Sequence, residues 1–283
     1  MRTLLRQRLG LVTGVGLTTL LCSASPALAQ AYLGGNLRPF AVLAGSTVTC
    51  TNVSTINGDL GVSPGAAVIG FPVPCTDVGT IHAGDATAAA AQVDLTTAFT
   101  TLTTLPCGLD LTGTDLGGLT LNPGTYCFST SAQLTGTLTL NAQGNPNAVW
   151  VFKTGSTLTT ASGSAVVFLP GAGGNPCSVQ WRIGTSATLG TTTSFLGNIL
   201  AQASITLNTS ASLAGRALAR TGAVTMDGNN VAAFAACGAG GGPGGAPPPF
   251  PGAPVPTLSQ WAMIALTLLL ALTGFMAMRM RKT

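Results

Sequence analysis

The sequence predicts a mainly β fold: a right-handed, triangular β-solenoid of about 18 residues per coil, with one long α-helix along its side. Three observations carry that prediction. A Leu-Thr-Leu-Asn phrase recurs at nearly constant spacing. The 283 residues include 38 glycines and only 6% charged side chains. Residues 85–105 contain neither Gly nor Pro.

The phrase stands at Leu119-Thr120-Leu121-Asn122, Leu138-Thr139-Leu140-Asn141 and Ile205-Thr206-Leu207-Asn208. Looser copies are Ser156-Thr157-Leu158-Thr159, Ala187-Thr188-Leu189-Gly190 and Val224-Thr225-Met226-Asp227. Successive copies begin 19, 18, 31, 18 and 19 residues apart. So short a fixed period means stacked coils. In a strand, the apolar neighbours of each Thr point to the opposite side from it. Thr120, Thr139, Thr157, Thr188, Thr206 and Thr225 are therefore expected in one outward column. Residues 187–201 align with 205–219 without a gap, Leu189 on Leu207, Gly197 on Gly215 and Leu200 on Leu218. Eighteen residues divide into three short strands and three corners, and parallel crossovers wind right-handed. The 31-residue step reads as one coil plus an excursion at 171–181, with Cys177 in it.

The Ala-rich start of residues 85–105 favours helix, with Asp85 as N-cap and Pro106 as the stop. Ala91, Leu95, Phe99, Leu102 and Leu105, at steps of four and three, bury one helix face. Leu200 and Leu218 mark the solenoid face expected beneath it. Upstream, 31–81 holds short strand-like runs at 40–43 and 47–49. Residues 58–65 resemble 117–124, which puts Gly61 in the Thr position.

Composition narrows the function. With seven Asp, no Glu and one His, the chain is too poor in ionisable groups for most enzymes, and no catalytic residue, metal site or cofactor is expected. His82 and Asp85 flank a glycine at the helix start with no nucleophile beside them, so capping is their expected role. The net charge of +4 comes from the ends, where Arg2, Arg6, Arg8, Arg279, Arg281 and Lys282 lie. Between them Arg38, Lys153, Arg182, Arg216 and Arg220 face all seven Asp, so a nucleic-acid partner is excluded. Arg216 and Arg220 are expected in solvent.

Residues 1–29 read as a secretory signal, with three arginines, an apolar run and the site Ala27-Leu28-Ala29, which a signal peptidase would cut before Gln30. Leu21 is too large for lipoprotein processing at Cys22. Cys50, Cys75, Cys107, Cys127, Cys177 and Cys237 remain, an even number that argues for disulfides in an exported chain, with 15 connectivities open. Pairing of sequence neighbours is preferred, Cys50 with Cys75 and Cys107 with Cys127, leaving Cys177 with Cys237. Without a C-x-x-C pair, a metal site is disfavoured. The exported domain is expected over 30–237, followed by a Gly/Pro linker at 238–254. In the tail, 255–283, residues 261–278 are apolar enough to span a bilayer and precede a basic end.

Two families are resembled. The exported domain matches the ice-binding-like family at Phe40-Ala41-Val42-Leu43-Ala44-Gly45-Ser46-Thr47-Val48-Thr49, Gly58-Asp59-Leu60-Gly61-Val62-Ser63-Pro64-Gly65, Ile81-His82-Ala83-Gly84-Asp85-Ala86 and Gly215-Arg216-Ala217-Leu218-Ala219-Arg220. This resemblance implies a discontinuous solenoid with a flanking helix, and adsorption to an ice crystal through one flat face. The Thr column is the expected face, with Thr137, Ser186 and Ser204 and the small residues Gly118, Gly155 and Ala223 beside it. A rival face carries Ala161, Thr192, Ser194, Ser210 and Ser212. The tail Val255-Pro256-Thr257-Leu258-Ser259-Gln260-Trp261 resembles the IPTL-type sorting signal of Gram-negative bacteria. It implies recognition near Pro256, Thr257, Leu258, Ser259 and Trp261 by a membrane sorting enzyme, and a final place at the cell surface. The plain alternative is a permanent single-span anchor.

Coils stack at about 4.8 Å, close to a repeat of oxygen positions in ice. The stiff χ1 of Thr holds a methyl and a hydroxyl in fixed relation. Six methyls at about 0.8 kcal/mol each give about 5 kcal/mol, between millimolar and micromolar affinity. One column alone is too weak, and its neighbours must contribute. A Thr column is also what an ordinary solvent-facing strand shows. The competing function is a surface adhesin or matrix protein that uses the solenoid as a spacer.

Overall fold

Val48, Cys50, Ile205, Leu207, Val224 and Met226 are all buried, and the residue between each pair faces outward. In the computed structural model, which describes residues 32–233, this alternation folds the chain into stacked parallel coils with three faces. The first face is a seven-stranded sheet. Its order is Ala132–Leu134, Leu158–Thr160, Ala187–Leu189, Ile205–Leu207, Val224–Asp227, Thr47–Thr51 and Ala67–Ile69. A fifteen-stranded sheet wraps the other two faces. Thr120–Leu121, Thr137–Leu140, Ala165–Phe168 and Asn230–Ala232 lie on the second, and Gly124–Phe128, Trp150–Thr154, Val179–Ile183, Phe40–Ala44 and Asp59–Val62 on the third. Ser194–Ala201 and Ser212–Ala219 each turn from second to third within one strand.

Spatial order departs from chain order. The last coil stacks on the first, with Met226 opposite Cys50 and Asn230 opposite Thr55. The chain thus builds one end of the stack, sends a helix along its flank, restarts at Leu109–Asp110 and returns to meet its own first coil. The helix, Ala86–Thr104, has 19 residues and is about 28 Å long at 1.5 Å per residue. Six coil spacings of about 4.8 Å match that length.

Asp85 caps the helix as expected, its Oδ1 accepting the Ala88 N–H at 2.8 Å. Ala91, Leu95, Phe99 and Leu102 are buried against Phe40, Leu43, Val151, Leu200 and Leu218 of the third face. Leu105 packs partly buried at the margin. Lys153 Nζ donates to the carbonyls of Thr103 and Leu105, which satisfies acceptors left open at the helix C-terminus.

The 18- and 19-residue spacing holds between the rungs of Thr120 and Thr139 and again in the last coils. The coils before them take 26 and 29 residues, because loops at 141–149 and 169–178 replace a direct corner. The short coils turn at Gly197 and Gly215, with φ of +111° and +154°. A Cβ on Gly215 would lie 1.9 Å from the Gly197 carbonyl oxygen, so the rungs touch backbone to backbone there. The long coil's excursion ends before Trp181, which sits buried in strand Val179–Ile183. Tyr126, Phe152, Trp181 and Phe195 form an internal aromatic ladder with ring centroids 5.3, 3.9 and 4.8 Å apart. Gly61 is not in a Thr position either. It lies on the third face, where a Cβ would come within 2.5 Å of the Phe40 ring.

Cys50–Cys75 and Cys107–Cys127 are disulfide-bonded, as the sequence-neighbour pairing expects. Cys177 is buried, and its expected partner Cys237 lies outside the described residues, as do the signal, linker and tail. Each of the two bonds ties an end of the stack, where a coil has a neighbour on one side only. Closing loops of 25 and 20 residues, each stabilises by about 3 kcal/mol in the chain-entropy picture. Reduction is expected to lower the unfolding midpoint and to speed amide exchange first at Ala67–Ile69 and Gly124–Phe128. Uniform loss of protection along the whole stack would contradict this.

Candidate functional site

The seven-stranded face presents three columns of short side chains. The central one runs Gln133, Thr159, Thr188, Thr206, Thr225, Thr49 and Ile69, each opposite the next in the ladder. One flank carries Ser131, Thr157, Ser186, Ser204, Ala223, Thr47 and Ala67. Thr157 Oγ1 donates to Ser131 Oγ at 2.8 Å, and Ser186 Oγ accepts the Ser204 N–H at 3.3 Å. The other flank carries Thr135, Ala161, Gly190, Asn208, Asp227 and Thr51. Among the described residues, none of the hydroxyls of Thr49, Thr159, Thr188, Thr206 and Thr225 has a protein partner. Each is open to water.

Thr188, Thr206 and Thr225 stand where the repeat places them, with Ser186 and Ser204 beside them. The other three members of the expected column do not. Thr157 is on the flank, and Thr159, two residues on, holds the central place because Leu158 pairs with Ala187. Thr120 and Thr139 pair with each other on the second face, together with Thr137. An apolar-Thr-apolar alternation serves any solvent-facing strand, so the same phrase occurs on two faces. The rival set also divides. Ala161 borders the seven-stranded face, and Ser194 and Ser212 pair on the second. Thr192 and Ser210 occupy corners with φ of +56° and +62°.

Sequence reasoning missed Thr47, Thr49, Thr51 and Thr159. The first three form one alternating strand, Thr47-Val48-Thr49-Cys50-Thr51, and that alternation was the available signal. The second face is chemically mixed, with Val167 at 36% exposure and Asn230 in its rows. The third is covered by the helix.

Arg216 is not in solvent. It is 1% exposed, donates from Nη1 to Asn198 Oδ1 at 3.1 Å and from Nη2 to the Arg38 carbonyl at 2.8 Å. Burial pulls its pKa down to about 10. Arg182 and Arg220 lie over the Phe99 ring, 4.4 and 4.7 Å from its centroid, and so pin helix to sheet. His82 Nδ1 is 2.7 Å from Asp85 Oδ2, in the capping arrangement. Among the described residues, no three His, Cys, Asp or Glu side chains come together as a metal site.

Residues 42–232 match the Ice-binding-like family, and residues 253–281 match the IPTL-CTERM motif. The chain belongs to the ice-binding-like family. An ice-binding protein of Nostoc sp. (strain HG1) is 56% identical over 198 residues, 70% of this chain and 72% of that one. One from Flavobacterium frigoris (strain PS1) is 33% identical over 205 residues, 68% of this chain and 72% of its own. Among solved structures, the ice-binding protein of the Antarctic ascomycete Antarctomyces psychrotrophicus superposes with a TM-score of 0.67 at 36% identity, covering 74% of this chain and 98% of that one. An ice-binding protein from an Antarctic biological consortium gives 0.67 at 39% identity, covering 81% and 96%. This ice-binding-like chain is thus similar to those proteins in sequence and superposes on the solved ones over most of the described coils.

Proposed function

We propose that the protein adsorbs to ice through its seven-stranded face. The observation that carries this is the array of open Thr hydroxyls at ladder spacing, repeated across successive rungs. Strands about 4.8 Å apart, with alternate residues about 6.7 Å apart along each strand, make a two-dimensional grid. Each stiff Thr offers the grid a methyl and a hydroxyl, so water held there is ordered before it meets the crystal. The two flanking columns supply the contacts that a single Thr column lacks. Freezing the purified protein and following crystal shape and recrystallisation tests the reading. Unmodified ice growth would overturn it and favour the adhesin.

The secretory signal at 1–29 and the motif at 253–281 support export followed by sorting to the cell surface, with a signal peptidase and a membrane sorting enzyme as processing partners. Among the described residues no helix is long and apolar enough to cross a membrane, and the apolar run at 261–278 lies outside them. Deleting residues 256–283 is expected to leave the solenoid folded and release it into the medium. If the truncated protein stays with the cells to the same extent, the sorting role is wrong.

A further inference from the structure

Asp227 is the one charged side chain in the three columns, and it stands where the last coil meets the first. Its Oδ1 accepts from Thr51 Oγ1 at 3.1 Å and from Asn52 Nδ2. Its Oδ2 accepts from Thr209 Oγ1, which belongs to the preceding coil. One carboxylate therefore joins three successive coils. Asn229 crosses the same junction beneath it: its N–H donates to Ser54 Oγ at 2.8 Å and its Nδ2 to the carbonyls of Asn208 and Ala211, both at 2.9 Å. Elsewhere in the sheet, neighbouring rungs are at most 29 residues apart. At this junction the separation is 175, so chain connectivity contributes nothing to the register.

We propose that Asp227 is a positioning residue of the face, aligning the Thr47, Thr49 and Thr51 row with the Thr225 row and fixing the direction of two rim hydroxyls. Thr51 and Thr209 both donate to the carboxylate, so their hydrogens turn inward and their lone pairs face the solvent as acceptors. Without the carboxylate the Thr209 hydroxyl loses this acceptor, the Thr51 hydroxyl keeps only the Met226 carbonyl at 3.3 Å, and the Asn229 N–H to Ser54 Oγ bond remains as the side-chain link across the junction. The inference rests on adsorption through this face.

The groups facing Asp227 from the coils on either side, Thr209, Asn52 and Thr51, are all neutral, and their donated hydrogen bonds hold its carboxyl below the usual carboxylate range. A lowered folded pKa means that the clamp is complete above the ordinary Asp range and is lost as pH falls through the lowered one.

The test compares the full-length protein with Asp227→Asn. Amide exchange at Gly228, which donates to the Thr51 carbonyl at 3.0 Å, and at residues 47–51 is expected to rise several-fold, as loss of charge-assisted bonds requires. Exchange in Leu158–Thr160 is expected to stay unchanged. Inhibition of ice growth should fall by about half or more if part of the row goes out of register. The wild type should show the same loss only once acidified below the ordinary Asp range, and Asp227→Asn should show no such step. Unchanged exchange and growth inhibition in Asp227→Asn, or an acid step that persists in it, would overturn the proposal. If wild-type protein leaves ice growth untouched, adsorption is the reading that fails, and the exchange data still decide whether the clamp exists.

Discussion

Replacing Thr206 with tyrosine is expected to remove most ice shaping while leaving the fold intact. Thr206 is central on the face, with Thr188 and Thr225 opposite it on the adjoining rungs. Its side chain points out of the sheet while Ile205 and Leu207 on either side are buried. Exposed substitutions of this kind change stability by about 0.5 kcal/mol or less. A ring standing above a flat array holds the remaining Thr side chains away from a flat crystal, so the loss extends beyond one residue. Ser194→Tyr, on the second face, serves as the control and is expected to keep full activity. If the two variants exchange behaviour, adsorption belongs to the second face. The measurement is thermal hysteresis and crystal habit alongside a melting curve.

Trp181→Ala is expected to be the most damaging single change to stability. The indole is fully buried, lies at 11° to the Phe152 ring with centroids 3.9 Å apart, and donates from Nε1 to the Leu196 carbonyl at 3.0 Å. Truncation leaves a cavity in the ladder and an unpaired carbonyl, a loss of about 3–5 kcal/mol. Since total stability is typically about 5–15 kcal/mol, the midpoint should fall by on the order of 10 °C. Trp181→Phe, which keeps a ring in the stack, should recover more than half of the loss. A calorimetric shift of only a degree or two for the alanine variant would mean that the ladder relaxes to close the gap.

What could be read from the chain depended on whether neighbours in space were neighbours in sequence. The coils carrying Thr188, Thr206 and Thr225 follow one another without insertions, and their period places them correctly. The helix was also legible, because Asp85, Pro106 and the apolar stripe between them are local signals. Thr157 and Thr159 were confused because the loops at 141–149 and 169–178 displace the phase by an amount no repeat reveals. Thr47, Thr49 and Thr51 were missed as part of the face because their stacking partner, Thr225, lies at the far end of the domain. Arg216 was misread for a related reason: its partner Asn198 is one rung below on a strand that turns inward at Gly197, and a charged residue gives no local sign of burial.

Stacking the last coil on the first also sets a timetable for synthesis. Phe40–Ala44 needs Asp59–Val62 on one side and Ser212–Ala219 on the other, and ribosomes deliver these partners far apart in time. Until residue 219 has emerged, the inner edge of the first coil has open backbone groups of the kind that recruit other chains. Contacts that close so late make folding slow relative to local hairpins. The first coils are therefore obliged to wait, partly assembled, for the final ones. A nascent chain stalled shortly before residue 212 is the species most in need of a chaperone.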